Sequence, residues 1–285
     1  MAYRPQRQHL AHLMAPIPLI LLGAFILSAP AQEGKDAGGA AKATPKSDER
    51  ALAVLREAVE ALGGPEGYRS MANSRLTARA SIPGGETGAT IELELILHTR
   101  DDGARRLEKR VGGESDTFVT DGESYWMILP SSGVLEMPPA VAQGMRIDQL
   151  QQELFLDHEE HGYLALGGEE VKADGRTLRR VTFRSRESFS RAGKAEEAGD
   201  RIEYLFDAET HLPAESRFLY PDPWGGKAFR LTVKWDDYRP VSAVPLPHRI
   251  VHVREGKVLV ELQVTSMEIG KRFDDTLFRR PKKKE

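Results

Sequence analysis

Residues 91 to 97 read Ile91, Glu92, Leu93, Glu94, Leu95, Ile96, Leu97. Apolar side chains return at every second position with glutamates between them, and a period of two marks a β-strand with one buried and one wet face. Ile96 interrupts the polar face near the end of the run.

The same kind of pattern recurs on both sides. Further strands are expected at 75–82, 105–111, 116–120, 124–129, 163–171, 178–184, 201–206, 215–220, 229–236, 249–254 and 258–267. The breaks between them suit hairpins: Asp101 to Gly103, Gly112 with Gly113, Asp121 with Gly122, Asp174 with Gly175, and Glu255 with Gly256. Helical spacing occurs in few places. Ser47 is an N-cap candidate ahead of Leu52, Leu55, Val59 and Leu62, a stripe that Gly63, Gly64 and Pro65 stop, and a short turn then carries Tyr68 and Met71 onto the same core. After Pro138 and Pro139, the spacing of Met145, Ile147, Leu150, Leu154 and Phe155 predicts a helix inserted between strands. Strands and helices do not alternate, so parallel crossovers have no support. The expected fold is α+β and mainly β: one strongly curved antiparallel sheet curling around a few helices, over residues 47–280.

The ends of the chain address it. Arg4 and Arg7 precede an apolar run from Leu13 to Leu27, and Ala29 and Ala31 precede a cut near Gln32, which gives a signal peptide over 1–31 and a periplasmic destination. The run contains Pro16 and Pro18 and falls short of the ~20 residues that span a bilayer, which favours cleavage over an uncleaved anchor. Residues 32–46 read as a flexible linker and 281–285 as a basic tail that could touch an anionic surface. With no cysteine there is no lipoprotein thiol, no disulfide and no thiol chemistry. A formal net charge of −3 argues against a nucleic-acid partner.

Catalytic patterns are weak. Asp157, His158, Glu159, Glu160 and His161 gather two imidazoles and three carboxylates, but the histidines stand three apart instead of four and Gly162 ends the helix. A solvated, charged helix end is the plainer reading beside weak metal binding. Gly122 to Trp126 begins like a nucleophile elbow without its closing glycine, and Gly225, Gly226, Lys227 has Pro221 where a phosphate loop needs its first glycine. His248 and His252 share a strand face with Ile250, read as a half-exposed outer face, with a pH-sensitive pair as the alternative. The expectation is a protein that is not an enzyme and uses no cofactor or metal. What the sequence does supply is apolar wall, since a curled sheet of this many strands encloses more apolar surface than short helices cover, at ~25 cal/mol per Å² left wet. Leu93, Leu95, Trp126, Ile128, Phe155 and Phe206 are the groove candidates; strand parity alone does not say which face is concave.

Three segments carry a family resemblance. The first is the helix closing on Ala61, Leu62, Gly63, Gly64 with Tyr68 and Met71 after it; the second is Phe206 to Pro213; the third is Asp237, Tyr238, Arg239, Pro240, Val241 followed by Val244 to Ile250. In their order the chain resembles the LolA-like periplasmic lipoprotein carriers with their LolB-like and RseB-like relatives, over roughly Ser47 to Phe278. The resemblance implies an unclosed β-barrel with helices over its concave apolar face, and lipid acyl chains or lipoproteins as cargo. An RseB-like role would instead be that of an envelope sensor or scaffold with a protein partner. An envelope glycolipid-processing enzyme is a third class, resting on the carboxylates beside His158. No arginine stands in an identifiable family motif, and the charged stretch from Arg184 to Arg201 departs from a compact carrier.

Overall fold

The computed structural model describes residues 46–280 except 85–87, 191–194 and 224. The expected leader, nearly all of the linker and the basic tail lie outside the described residues. Two helices come first, α1 (Glu49–Ala61) and α2 (Gly64–Ser70). Six strands follow: β1 (Ser74–Pro83), β2 (Thr90–Thr99), β3 (Arg105–Val111), β4 (Glu114–Thr120), β5 (Tyr125–Leu129) and β6 (Gly133–Glu136). Next comes α3 (Pro139–Asp157), then β7 (Tyr163–Ala173), β8 (Arg176–Ser185) and the short α4 (Arg186–Ser190). The chain finishes with β9 (Arg201–Asp207), β10 (Pro213–Tyr220), β11 (Phe229–Val241), β12 (Val244–Arg254), β13 (Lys257–Ile269) and a single 3-10 turn at Asp275–Leu277.

All thirteen strands form one antiparallel sheet in the order β6-β5-β4-β3-β2-β1-β13-β12-β11-β10-β9-β8-β7. It does not close: β6 and β7 are its two edges. They are consecutive in the chain, so the segment that joins one edge to the other is α3. Chain order and sheet order agree everywhere except where β1 pairs with β13, which unites the two ends of the domain in mid-sheet. Tight hairpins make this possible; Gly112 and Gly113, with φ of 57° and 89°, take the paired positive φ of a type I′ turn.

The alternation first seen at 91–97 fixes the register. On the inner face Leu97, Leu95 and Leu93 oppose Leu76, Ala78 and Ala80 of β1, and on the outer face Glu94 and Glu92 oppose Arg79 and Ser81. A slip of one residue would turn leucines to water and glutamates to the core. Outer-face ion pairs between strands, such as Arg110 to Glu94 at 3.3 Å and Arg249 to Glu261 at 2.7 Å, reinforce register more than stability, because such exposed pairs contribute ~0–1 kcal/mol.

Several boundaries differ from the sequence reading for identifiable reasons. The helix read from Met145 onward begins six residues earlier, at Pro139, since a proline in the first turn gives up no intrahelical bond. β12 begins at Val244, not Arg249, despite Pro245 and Pro247. Its pairing with β13 starts only at Arg249, so those prolines sit where the strand has one neighbour. β6 has four residues and gave too short a pattern to read, and α4 lies inside the charged stretch.

Ser47 is not the helix cap expected of it. Asp48 holds that position, and both side chains serve the free edge of β7: Ala165 N donates to Ser47 Oγ at 3.1 Å and Gly167 N to Asp48 Oδ2 at 2.8 Å. An edge that would otherwise present open donors is thus closed off. The first turn of α1 comes this near because β7 carries glycine there. A Cβ on Gly168, at φ +96°, would lie 2.6 Å from the backbone carbon of Arg50.

Gly168→Ala is therefore expected to lower unfolding free energy by ~2 kcal/mol or more, combining left-handed strain with a backbone clash. Gly175→Ala has the same backbone sign and open space around it, and should lose only ~1 kcal/mol. Urea titrations of both variants check this; equal losses would show that α1 does not depend on the close approach.

Candidate functional site: the inner wall and the helix that covers it

The concave face forms the main core. Leu76, Leu93, Leu95, Leu97, Leu107 and Phe118 supply it from one arm of the sheet, and Phe183, Tyr204, Phe206, Phe218, Tyr220 and Trp235 from the other. Of the six groove candidates, Leu93, Leu95, Phe155 and Phe206 pack in this interior. Trp126 and Ile128 do not. On β5 it is Tyr125 and Met127 that meet the core, and the alternate pair stands on the opposite strand face. Because 125–129 is apolar on both faces, its pattern could not choose between them.

Helix α3 lies against the wall and buries Val141, Ala142, Met145, Ile147, Leu154 and Phe155. Phe155 is the hub: its ring centre is 4.8 Å from that of Tyr204, 5.2 Å from Phe206, 5.9 Å from Tyr68 and 6.3 Å from Phe183. Tyr204 in turn stacks on Trp235 at 5.8 Å with rings nearly parallel. Among Gln151, Phe155, Tyr204, Pro213, Trp235, Tyr238 and Pro247 the remaining gap measures about 10 Å³, too little for an acyl chain. At this point helix and wall are packed solid, whereas a partly open cleft of about 630 Å³ runs along α3 between Tyr125, Arg146, Leu150, Glu153 and Tyr163.

The contact is not wholly apolar. Asp148, Gln151 and Glu153 of α3 are buried. Tyr204 Oη donates to Gln151 O at 2.9 Å, and Ser216 Oγ donates to Gln151 Oε1 at 3.2 Å. From β3, Arg105 is 4% exposed and lies on the same face as Leu107. Burial pushes its guanidinium down from its ordinary value while the Glu153 and Asp148 carboxylates act to keep it charged. Gln149 Nε2 and His161 Nε2 reach Glu153 at 3.2 and 3.0 Å. At Gly144 an added Cβ would fall 2.2 Å from Tyr220 Oη, so glycine is what lets the helix settle over β10. Tyr220 Oη has no hydrogen-bond partner of good geometry among the described residues; burial, and then the Asp148 carboxylate beside it, push the phenol up.

Histidines depart from the sequence reading. His158 and His161 part company: His158 Nε2 lies 3.4 Å from Ser47 Oγ with its ring 5.8 Å from Phe183, and His161 turns to Glu153. Among the described residues no three His, Cys, Asp or Glu side chains are grouped to hold a metal. His252 is not on a half-exposed outer face. It is 1% exposed, has Val233 and Val260 of the interior as register partners, and neither ring nitrogen has a partner among the described residues. A lone histidine between apolar neighbours could have been read either way, because strand parity hides which side is in.

Burial lowers the His252 pKa to about 3 from 6.5. The unfolded chain therefore takes up a proton below 6.5 that the native state refuses, so this residue removes stability as pH falls, by ~1.4 kcal/mol per pH unit. Urea unfolding between pH 6.5 and 5 should show that loss, and His252→Leu should reduce its slope by close to one proton. An unchanged slope would mean that the imidazole is not buried neutral.

No protein-family model and no curated protein matches the sequence. Solved structures do match. A LolA superfamily protein from Nitrosomonas europaea aligns with TM-score 0.54 and 11% identity, over 81% of this chain and 97% of that one. A domain described as outer-membrane lipoprotein-sorting, from Vibrio parahaemolyticus, gives 0.52 and 12%, over 80% and 95%. A DUF1329 family protein from Desulfovibrio piger gives 0.53 and 13%, over 82% and 98%. At such identities the likeness speaks for architecture, and the architecture is that of the LolA-like fold: an unclosed antiparallel half-barrel with helices on its concave face.

Proposed function

We propose that this chain is an envelope binding or carrier protein for lipid acyl chains or lipidated proteins, working in the periplasm and not an enzyme. The observation that carries the reading is the covering of the inner wall. A continuous aromatic and aliphatic surface is closed by α3, which is tied to the sheet through its two ends and through side-chain contacts, and has no backbone ladder to it. Each methylene transferred from water to such a wall contributes ~0.8 kcal/mol, so a chain of ordinary length gains enough to compete with a packed helix. No described helix is long and apolar enough to cross a membrane. The carrier takes its cargo by exchange: ligand in, helix out.

The buried polar side chains of α3 suit that exchange. An all-apolar helix would be held more tightly, whereas Asp148, Gln151 and Glu153 lose water on docking and regain only the protein contacts described above. Each such buried hydrogen bond is worth ~1 kcal/mol net.

Two measurements test the reading. Organic extraction and mass analysis of the mature protein, purified without detergent, should recover acyl species in near-stoichiometric amount, or the empty protein should bind a fluorescent fatty acid at a 1:1 plateau. An empty protein that also fails to bind would contradict it. Gln151→Ala should destabilise the fold yet tighten apparent fatty-acid affinity by ~5-fold, because a weakened helix competes less. Unchanged or weaker binding would show that α3 is a fixed part of the core.

A further inference from the structure

The register of four strand pairs places three buried polar groups in one line across the inner wall. Tyr204 pairs with Ser216, Ser216 with Val233, Val233 with His252, and His252 with Val260. Tyr204, Val233 and Val260 belong to the interior core, so the line runs across the concave side from β9 to β13. Tyr220 lies on that face too, farther along β10.

Partners divide this set. Tyr204 and Ser216 both donate to Gln151 of α3. Tyr220 Oη faces the Asp148 carboxylate of α3, while both His252 nitrogens are buried without a partner among the described residues. Across the hollow the buried Arg105 is balanced by Glu153 and Asp148, again from α3. A polar network serving only to fix the fold would be satisfied within the sheet. Here the acceptors come from the helix or are missing, and a pure hydrocarbon replacing α3 would leave several donors and a cation facing nothing.

We propose that Tyr204 and Ser216 of this line, with Tyr220 and Arg105, form a binding site for the anionic head of an acyl ligand, a phosphate ester held deep in the groove with its chain against the aromatic wall. Phosphate oxygens take the place of the Asp148 and Glu153 carboxylates that face Tyr220 and Arg105 and of the Gln151 acceptors of Tyr204 and Ser216, all of which leave with α3. The site rests on the carrier reading, which fixes α3 as the part that leaves.

The test uses delipidated mature protein and two probes that share chain and glycerol: 1-palmitoyl lysophosphatidic acid and 1-monopalmitoylglycerol. Wild type should bind the phosphorylated probe at least ~10-fold more tightly, the scale of one charge-assisted hydrogen bond. Arg105→Met should bring the two within ~2-fold. Tyr220→Phe should cut the preference ~3-fold or more. A merely structural hydroxyl would cost stability and leave the preference alone. Should Arg105→Met fail to fold, Tyr220→Phe decides. Equal wild-type binding of both probes overturns the head site and leaves the carrier standing; a preference that survives both substitutions overturns it as well. Binding of neither probe removes the carrier reading and the site together.

Discussion

An antiparallel sheet that curls without closing has an apolar inner face and nothing from the sheet itself to cover it. That constraint governs the rest of this structure. Closing β6 onto β7 would have hidden the wall at the cost of any access to it; leaving the edges apart requires helices to do the covering. The chain meets this requirement with the segment that must in any case travel between the two edges. α3 is both connection and cover, and α1 fills the side next to β7 and β8. Ser47 and Asp48, which seal the free edge of β7, and Gly168, which lets α1 approach it, belong to the same solution.

How firmly the cover sits is decided by two opposed contributions. Phe155, in contact with four aromatic rings, anchors the helix, and losing a buried Phe of this kind typically costs ~3–5 kcal/mol. Against it stand the desolvated Asp148, Gln151 and Glu153, the buried Arg105 that the two carboxylates face, and the buried Tyr220 hydroxyl beside Asp148. Polar groups in a dry interior return less than apolar ones of the same volume. The combination gives a helix that packs in one defined place with less net gain than its buried area suggests. The gap of about 10 Å³ around Phe155 means that binding against the aromatic wall there is a replacement of protein by ligand.

Much of this was legible before any coordinates. The leucine and glutamate alternation at 91–97, the glycine pairs at 112–113 and the absence of strand and helix alternation were enough for a single antiparallel sheet, because each is a local rule that tertiary packing does not overturn. The stretch at 125–129 shows where local rules stop. Tyr125, Trp126, Met127, Ile128 and Leu129 are apolar on both sides, so nothing in the run says which side is concave, and Trp126 and Ile128 stand on the side away from the main core. His252 failed for the same reason. Gln151, Ser216, Tyr204 and Arg105 were missed altogether, since their significance lies in meeting partners 43 to 65 positions away and no spacing pattern announces a contact of that range.

The central claim is that α3 is a cover displaced by ligand and not a permanent layer of the core. Amide hydrogen exchange, followed by mass spectrometry with and without a saturating fatty acid, addresses it most directly. Displacement predicts faster exchange in residues 139–157 on binding, with β9 to β12 unchanged or better protected. Protection of α3 that stays the same or rises when the ligand is bound would contradict the account.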